Sequence, residues 1–354
     1  MSDSLNKSRR FVPEFEPQDA VLLCWPHKSM DWNYIFSDIE QCYEQIAKAI
    51  LRFQPLIIAC IEPTENLIRL QNASYPHELK VFTGVPLNDT WARDTAPLSL
   101  MEEGEPVLLD FAFNGWGLKY NWDKDNEITS SLLERGLFAD NVQYRRRKEF
   151  VCEGGGVETD GCGTLLTTDS VQYEPNRNNK LSKEEIKRVL KEEFGVEQVV
   201  SLSVDAMSGD DTDGHIDTLA RFCDPNTIAY VGAPKDERDI HFESLVRMER
   251  ELQAMRNIKG EPYRLVKLPF VSPLYDPKRG ERLPATYANF LIINGAVLLP
   301  IYNAPEDEEA IATVKEIFPD REVIAIYCFP VVRQHGSLHC ISMQFPKGFI
   351  QKTK

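Results

Sequence analysis

Along this chain, short runs of consecutive apolar residues alternate with stretches whose apolar positions recur every three or four residues, as strands feeding amphipathic helices would give. Residues 20–24 and 56–61 read as buried strands, and 34–53 between them as an amphipathic helix. The sharpest helix signal is 181–194. Ser182 and Glu185 stand as a capping box, Ile186, Val189, Leu190 and Phe194 share one face, and Gly195 sits where a helix commonly ends in a left-handed residue. Residues 239–255 and 306–317 also read as helices, the second opened by Pro305. The pattern predicts an α/β protein.

One local pattern recurs. Residues 153–168, 215–231 and 287–301 each give a polar lead-in, a short strand, a turn and a second strand; the turns are Asp160-Gly161, Asp224-Pro225-Asn226 and Asn294-Gly295. With Asp94 before Leu98 and Cys340 before Ile341, the polar lead-ins fall at 94, 153, 215, 289 and 340, with gaps of 59, 62, 74 and 51. Such gaps fit five related units around an axis, each giving one polar residue to a shared centre. Unrepeated α/β folds produce similar gaps, so spacing by itself leaves both readings open. The 354 residues would make roughly two ordinary domains. No low-complexity linker divides them, so residues 1–354 read as a single domain, with about residues 1–10 as a flexible N-terminal extension.

Charge narrows the function classes. Forty Lys and Arg against 55 Asp and Glu give −15, and the longest basic run is Arg145-Arg146-Arg147-Lys148. Phosphate-tracking nucleic-acid binding needs clustered positive charge and is not expected; a cationic ligand suits the balance better. No stretch is long and apolar enough for a membrane span, and no apolar segment follows the charged N-terminus as in a signal peptide. A cytoplasmic protein is expected. The eight cysteines form no Cys-x-x-Cys pair, so most read as small buried hydrophobes of a reducing compartment.

Several motifs are better excluded than accepted. Glu153-Gly154-Gly155-Gly156 lacks the Gly-Lys-Ser/Thr of a phosphate loop and the glycine spacing of a dinucleotide site. Setting Gly214 as the glycine of a calcium loop puts Ala220 where the bidentate Glu belongs. His335, His339 and Cys340 match no zinc template. What remains is Asp89 and Asp94 beside Trp91, which suit a flat cation; His215 and Asp217, two apart on an expected strand and so on one face; and Cys340, a candidate thiol nucleophile. An ion pair, packing aromatics and one more buried cysteine would explain the same residues structurally.

Taken together, stretches 88–94, 113–120, 153–168, 209–222, 287–300 and 336–344 resemble, in order, the agmatine deiminase and bacterial peptidylarginine deiminase family, a branch of the guanidino-group-modifying enzymes. The resemblance runs over about residues 11–344 and implies a single-domain, pseudo-symmetric five-bladed α/β propeller. It implies Cys340 as nucleophile, His215 as general acid/base oriented by Glu153, and Asp94 and Asp217 as guanidinium-binding carboxylates, with Trp91 and Trp116 shaping the pocket. Tyr120, Trp122 and Asp123 are further expected walls. The reaction implied is agmatine hydrolysis to N-carbamoylputrescine and ammonia through an amidino-cysteine thiouronium, a step of putrescine biosynthesis, with no metal or organic cofactor. Ser337-Leu338 and Ile216 depart from the commonest agmatine deiminase pattern, so peptidylarginine or free arginine is the alternative substrate. A non-catalytic guanidino- or polyamine-binding protein is a reading from another class. Oligomeric state is left open, a homodimer included.

Overall fold

The computed structural model of the protein describes residues 9–352. Among these, seventeen strands form five separate sheets. Each sheet repeats one plan, a central strand antiparallel to one neighbour and parallel to the next. The central strands are Glu105–Ala112, Thr164–Thr168, Thr227–Val231, Ala296–Ile301 and Gln18–Cys24. Their antiparallel neighbours are Leu98–Glu102, Glu158–Thr159, Ala220–Asp224, Leu291–Ile293 and Ser342–Pro346. The last sheet therefore joins the two ends of the chain.

A parallel pair cannot be closed by a tight turn and needs a crossover. Helices Ile128–Glu134, Lys183–Phe194, Phe242–Ala254, Asp307–Ile317 and Phe36–Ile50 supply one per sheet. The central strands are buried along most of their length because both faces are covered: Leu22, Leu23, Leu165, Leu166, Ile228, Leu298 and Leu299 are fully buried. Burying each such side chain stabilises by about 1.5–3 kcal/mol.

The expected hairpins and helices are present within a few residues of their predicted ends. Helix Lys183–Phe194 carries the Ser182–Glu185 capping box, with the Ser182 hydroxyl accepting from Glu185 N and the Glu185 carboxylate accepting from Ser182 N. Gly195 ends it at φ 65°, where a Cβ would lie 2.3 Å from the Arg9 carbonyl oxygen, so glycine is required twice over.

Three expectations need correcting. The helix expected over 34–53 is a 3₁₀ turn, Asp31–Ile35, followed by an α-helix, Phe36–Ile50. His215 and Asp217 are not on a strand: Ile216–Thr218 is a 3₁₀ turn, closed by the Thr218 N–H and hydroxyl donating to the His215 carbonyl, and the strand starts at Ala220. The two side chains converge through this tight turn rather than through a strand pleat. Of the N-terminal extension, residues 1–8 lie outside the described ones, while Arg9 and Arg10 belong to strand Arg9–Phe11, paired with Glu102 and Met101. Among the described residues no helix is long and apolar enough to cross a membrane.

Candidate active site

The polar lead-ins end at one place. Just before the first strand of each hairpin the backbone makes a short irregular turn, as at Ala92–Thr95, Gly154–Gly156 and Ile216–Thr218, and these turns aim Asp94, Glu153, His215, Asn289 and Cys340 at a common centre. The Cys340 Sγ lies 3.4 Å from Asn289 Oδ1 and 3.9 Å from Asp217 Oδ2. It forms part of the wall of a pocket that Trp91, Asp94, Trp116, Tyr120, Gly336 and His335 also line. Gly336 packs so tightly on the Trp91 indole that a Cβ would come within 2.2 Å of the ring.

His215 is fully buried. Its Nδ1 is 3.6 Å from Asp94 Oδ1 and its Nε2 is 3.6 Å from Glu153 Oε2, within ion-pair reach but too long for hydrogen bonds. Both nitrogens are without a hydrogen-bond partner among the described residues, as is Asp217 Oδ1. The Gly154-Gly155-Gly156 run makes room for this: a Cβ on Gly155 would meet His215 Nδ1 at 2.5 Å and crowd Asp94 and Asp217.

The carboxylates are held from behind. Asp94 accepts from Gly155 N and from Trp116 Nε1, each at 2.9 Å. Glu153 takes Arg177 Nε on both oxygens at 2.9 Å, and Arg177 continues to Asp213 and the Thr212 carbonyl. Asp217 Oδ2 is 2.7 Å from His339 Nδ1, and His339 Nε2 is 2.6 Å from Glu14 Oε2.

Electrostatics follow from burial and these partners. Burial alone would push His215 down, but Asp94, Glu153 and Asp217 outweigh it and hold the imidazole up at about 9. Burial and the charges of Asp217 and Asp94 raise the Cys340 thiol well above its ordinary value. Burial also raises Asp94, against the pull of His215. Burial opposes ionisation of Glu153 and Asp217 too, yet Arg177 and His215 hold the first below its usual range and His339 and His215 the second. At neutral pH the site holds a protonated imidazole and a neutral thiol.

Two indoles shape the walls. Trp91 and Trp116 meet edge to face at 6.2 Å, and Trp91 donates to Asp89. Trp116 has φ 53°, a left-handed conformation unusual for so bulky a residue, imposed by the tight 114–120 turn in which Asn114 Oδ1 accepts from Gly117 N. That strained turn points the indole at Asp94.

Trp122 and Asp123, expected as walls, do not line the pocket: Asp123 accepts from the Asn88 amide and the Trp122 carbonyl accepts from Asn126. Lining residues beyond the sequence reading are Asp31 and Gln334; Asp89, Asp211 and Thr212 lay inside motifs already noted. His335 Nδ1 is 2.7 Å from the Gly209 carbonyl. Among the described residues no group of three or more His, Cys, Asp and Glu side chains is arranged to hold a metal ion.

Residues 10–346 match the model of the Porphyromonas-type peptidyl-arginine deiminase family. An agmatine deiminase of Pseudomonas fluorescens is 30% identical, with 94% of each chain covered. A solved structure from Porphyromonas gingivalis, provisionally described as an arginine deiminase, is 52% identical with a TM-score of 0.88, covering 97% of this chain and 100% of that one. An agmatine deiminase of C. jejuni, solved as a cysteine-to-serine variant with substrate bound, is 34% identical with a TM-score of 0.88, covering 96% and 97%.

Proposed function

The chain belongs to the Porphyromonas-type peptidyl-arginine deiminase family, and from that premise we propose that it is an agmatine deiminase, hydrolysing the guanidinium of agmatine to N-carbamoylputrescine and ammonia. One observation carries the reading: Cys340 and Asp94 line a pocket and converge with buried His215, Glu153 and Asp217, of which Asp217 Oδ1 and both His215 nitrogens have no hydrogen-bond partner among the described residues. A flat cation with several N–H donors answers the carboxylate surplus.

Asp94 and Asp217 grip the edges of the guanidinium, with Trp91 and Trp116 enclosing it. Binding brings positive charge beside Cys340, offsetting the two carboxylates that hold its thiol up, so the substrate helps generate its own thiolate, the thiol proton passing to solvent. The thiolate attacks the guanidinium carbon. The C–N bond to a terminal nitrogen breaks, that nitrogen takes the His215 proton, and ammonia leaves behind an amidino-cysteine thiouronium. Neutral His215 then removes a proton from water as its oxygen adds to the same carbon, and cleavage of the C–S bond, with the remaining hydroxyl proton passing to solvent, returns the thiolate and releases the ureido product. Glu153, pinned by Arg177, keeps a negative charge beside His215 throughout. No step requires a metal or organic cofactor.

The pocket lining favours agmatine over arginine. It includes Asp31, Asp89 and Asp211 and no Lys or Arg, so a distal ammonium is welcome and an α-carboxylate is not. The 52% identity to the Porphyromonas gingivalis protein supports arginine as the second reading. Ammonia release from agmatine, L-arginine and a blocked arginyl peptide separates them: release from arginine or the peptide but none from agmatine overturns the agmatine assignment.

We read the five sheets as the blades of a pseudo-symmetric α/β propeller forming one catalytic domain. The eight free cysteines, seven of them buried, favour a reducing compartment, in keeping with a cytoplasmic enzyme supplying a putrescine precursor.

A further inference from the structure

His339 lies outside the reacting groups, yet it is buried between two acids from distant parts of the chain. We propose that His339 is a positioning residue, an imidazolium strut between Glu14 and Asp217 that fixes Asp217 Oδ2 and leaves Asp217 Oδ1 bare for the substrate guanidinium. The link to the substrate rests on the deiminase reading above.

The donor arithmetic supports it. Glu14 is a saturated acceptor: Oε1 takes the Ile292 N–H at 2.7 Å and pairs with Arg221 at 3.0 Å, while Oε2 takes Arg93 at 3.2 Å and His339 at 2.6 Å. So many donors fix it as a carboxylate, and burial, which would raise its pKa, is overridden by His339, Arg221 and Arg93. His339 Nε2 must therefore donate to Glu14. Nδ1, 2.7 Å from Asp217, completes the strut only if it carries a proton as well, which makes the ring cationic. With Oδ2 occupied, Oδ1 is the oxygen of Asp217 left buried and unpartnered.

The groups around this axis are few. On the pocket side Asp217 faces His215, Asp94 and Cys340, with Glu153 beyond His215. Behind His339 stand Glu14, Glu158, Arg93 and Arg221. Asp94 and His215 are electrostatically coupled to Asp217, so the site-resolved Asp217 titration, read beside the pH profile, assigns the shift.

The test compares wild type, His339→Ala and His339→Asn, measuring kcat/KM on agmatine against pH and the Asp217 carboxyl titration by carbon NMR. In His339→Ala the acid limb of kcat/KM and the Asp217 titration should both move up by at least about one pH unit, with KM raised more than kcat is lowered. Asn places an amide N–H near the Nδ1 position and should recover part of both shifts. A folded His339→Ala with unmoved acid limb and unmoved Asp217 titration overturns the proposal. If that variant does not fold, Glu14→Gln weakens the strut from its far end and should shift both readouts the same way, less far; no shift again overturns it. Wild type that releases no ammonia from agmatine, L-arginine or the blocked arginyl peptide sinks the deiminase reading, while the Asp217 titration still decides whether His339 governs that carboxylate.

Discussion

Two buried histidines, each between two carboxylates, stand on opposite sides of Asp217 and are held in opposite ways. His215 lies 3.6 Å from each of its acids and makes no side-chain hydrogen bond. His339 lies 2.6 and 2.7 Å from its acids and has both nitrogens engaged. Around His215 glycines open space; around His339 Arg93 and Arg221 close it. The residue types are nearly the same, so composition does not separate a reacting group from a structural one. Unmet hydrogen-bonding capacity does. A proton that must move twice per turnover belongs on the ring with no fixed partners, and a carboxylate that must not move is best tied to the ring with two.

The comparison is sharpened first at the nucleophile that the His215 side serves. Cys340→Ala should cut ammonia release from agmatine by at least ~10⁴-fold, because a covalent route disappears outright. Agmatine binding, measured by calorimetry, should survive, since Asp94 and Asp217 remain; a variant with more than a few per cent of wild-type turnover contradicts the assignment. Next, His215→Asn should lower kcat by about 10²–10⁴-fold, the usual worth of a positioned acid/base. Its cost in stability should come from the lost positive charge beside Asp94 and Glu153 rather than from a lost hydrogen bond, and should shrink as pH rises through about 9. A pH profile adds the sign. His215 is held at about 9 against an ordinary 6.5, so its proton, and the stability that proton contributes, are fully present below about pH 6.5 and lost as pH rises through about 9. Wild-type kcat/KM should fall over the same alkaline range; a flat profile from pH 7 to 10 removes His215 from the acid role.

The opposite outcome is expected behind Asp217. Arg221 is fully buried, pairs with Glu14 and Glu158 and donates to the carbonyls of Ala288 and Phe290. Arg221→Ala leaves two buried carboxylates short of a partner, and breaking such a cluster costs about 3–5 kcal/mol. Thermal or urea unfolding should register that loss. A destabilisation below about 1 kcal/mol, within the range of an exposed pair, would erase the distinction between the two sides.

How much of this was legible in the sequence divides along the same line. The hairpins and their lead-ins could be read because a turn and the polar residue before a strand are local signals: Asn294-Gly295 turns the chain within two residues, with Gly295 at φ 71°. Spacing alone raised Asp94, Glu153, His215, Asn289 and Cys340 as a shared centre, and the structure brings those five together. Local conformation was harder. His215 and Asp217 were expected to share a strand face, and they meet through a 3₁₀ turn instead, because the Thr218 hydroxyl, donating to the His215 carbonyl, competes with strand geometry. The strut was invisible, since Glu14 and His339 are 325 positions apart and neither sits in a pattern that implies the other. Trp122 and Asp123 failed as walls because a nearby aromatic and acid in sequence say nothing about which way a turn faces.

The smallest expected effect lies at an exposed helix start and tests whether the comparison concerns the site at all. In the capping box of helix Lys183–Phe194, Ser182 and Glu185 satisfy two otherwise unpaired backbone N–H groups at the helix start. Ser182→Ala removes one acceptor and should cost about 1 kcal/mol of stability, seen as a shifted urea midpoint with an unchanged slope. Because this helix packs on the outside of its sheet through Ile186, Leu190 and Phe194, kcat and KM for agmatine should stay at wild-type values. A change in KM would mean that fraying one crossover helix reaches the lead-in turns, and then the rigidity credited to the cluster behind Asp217 would have to be shared with the whole sheet framework.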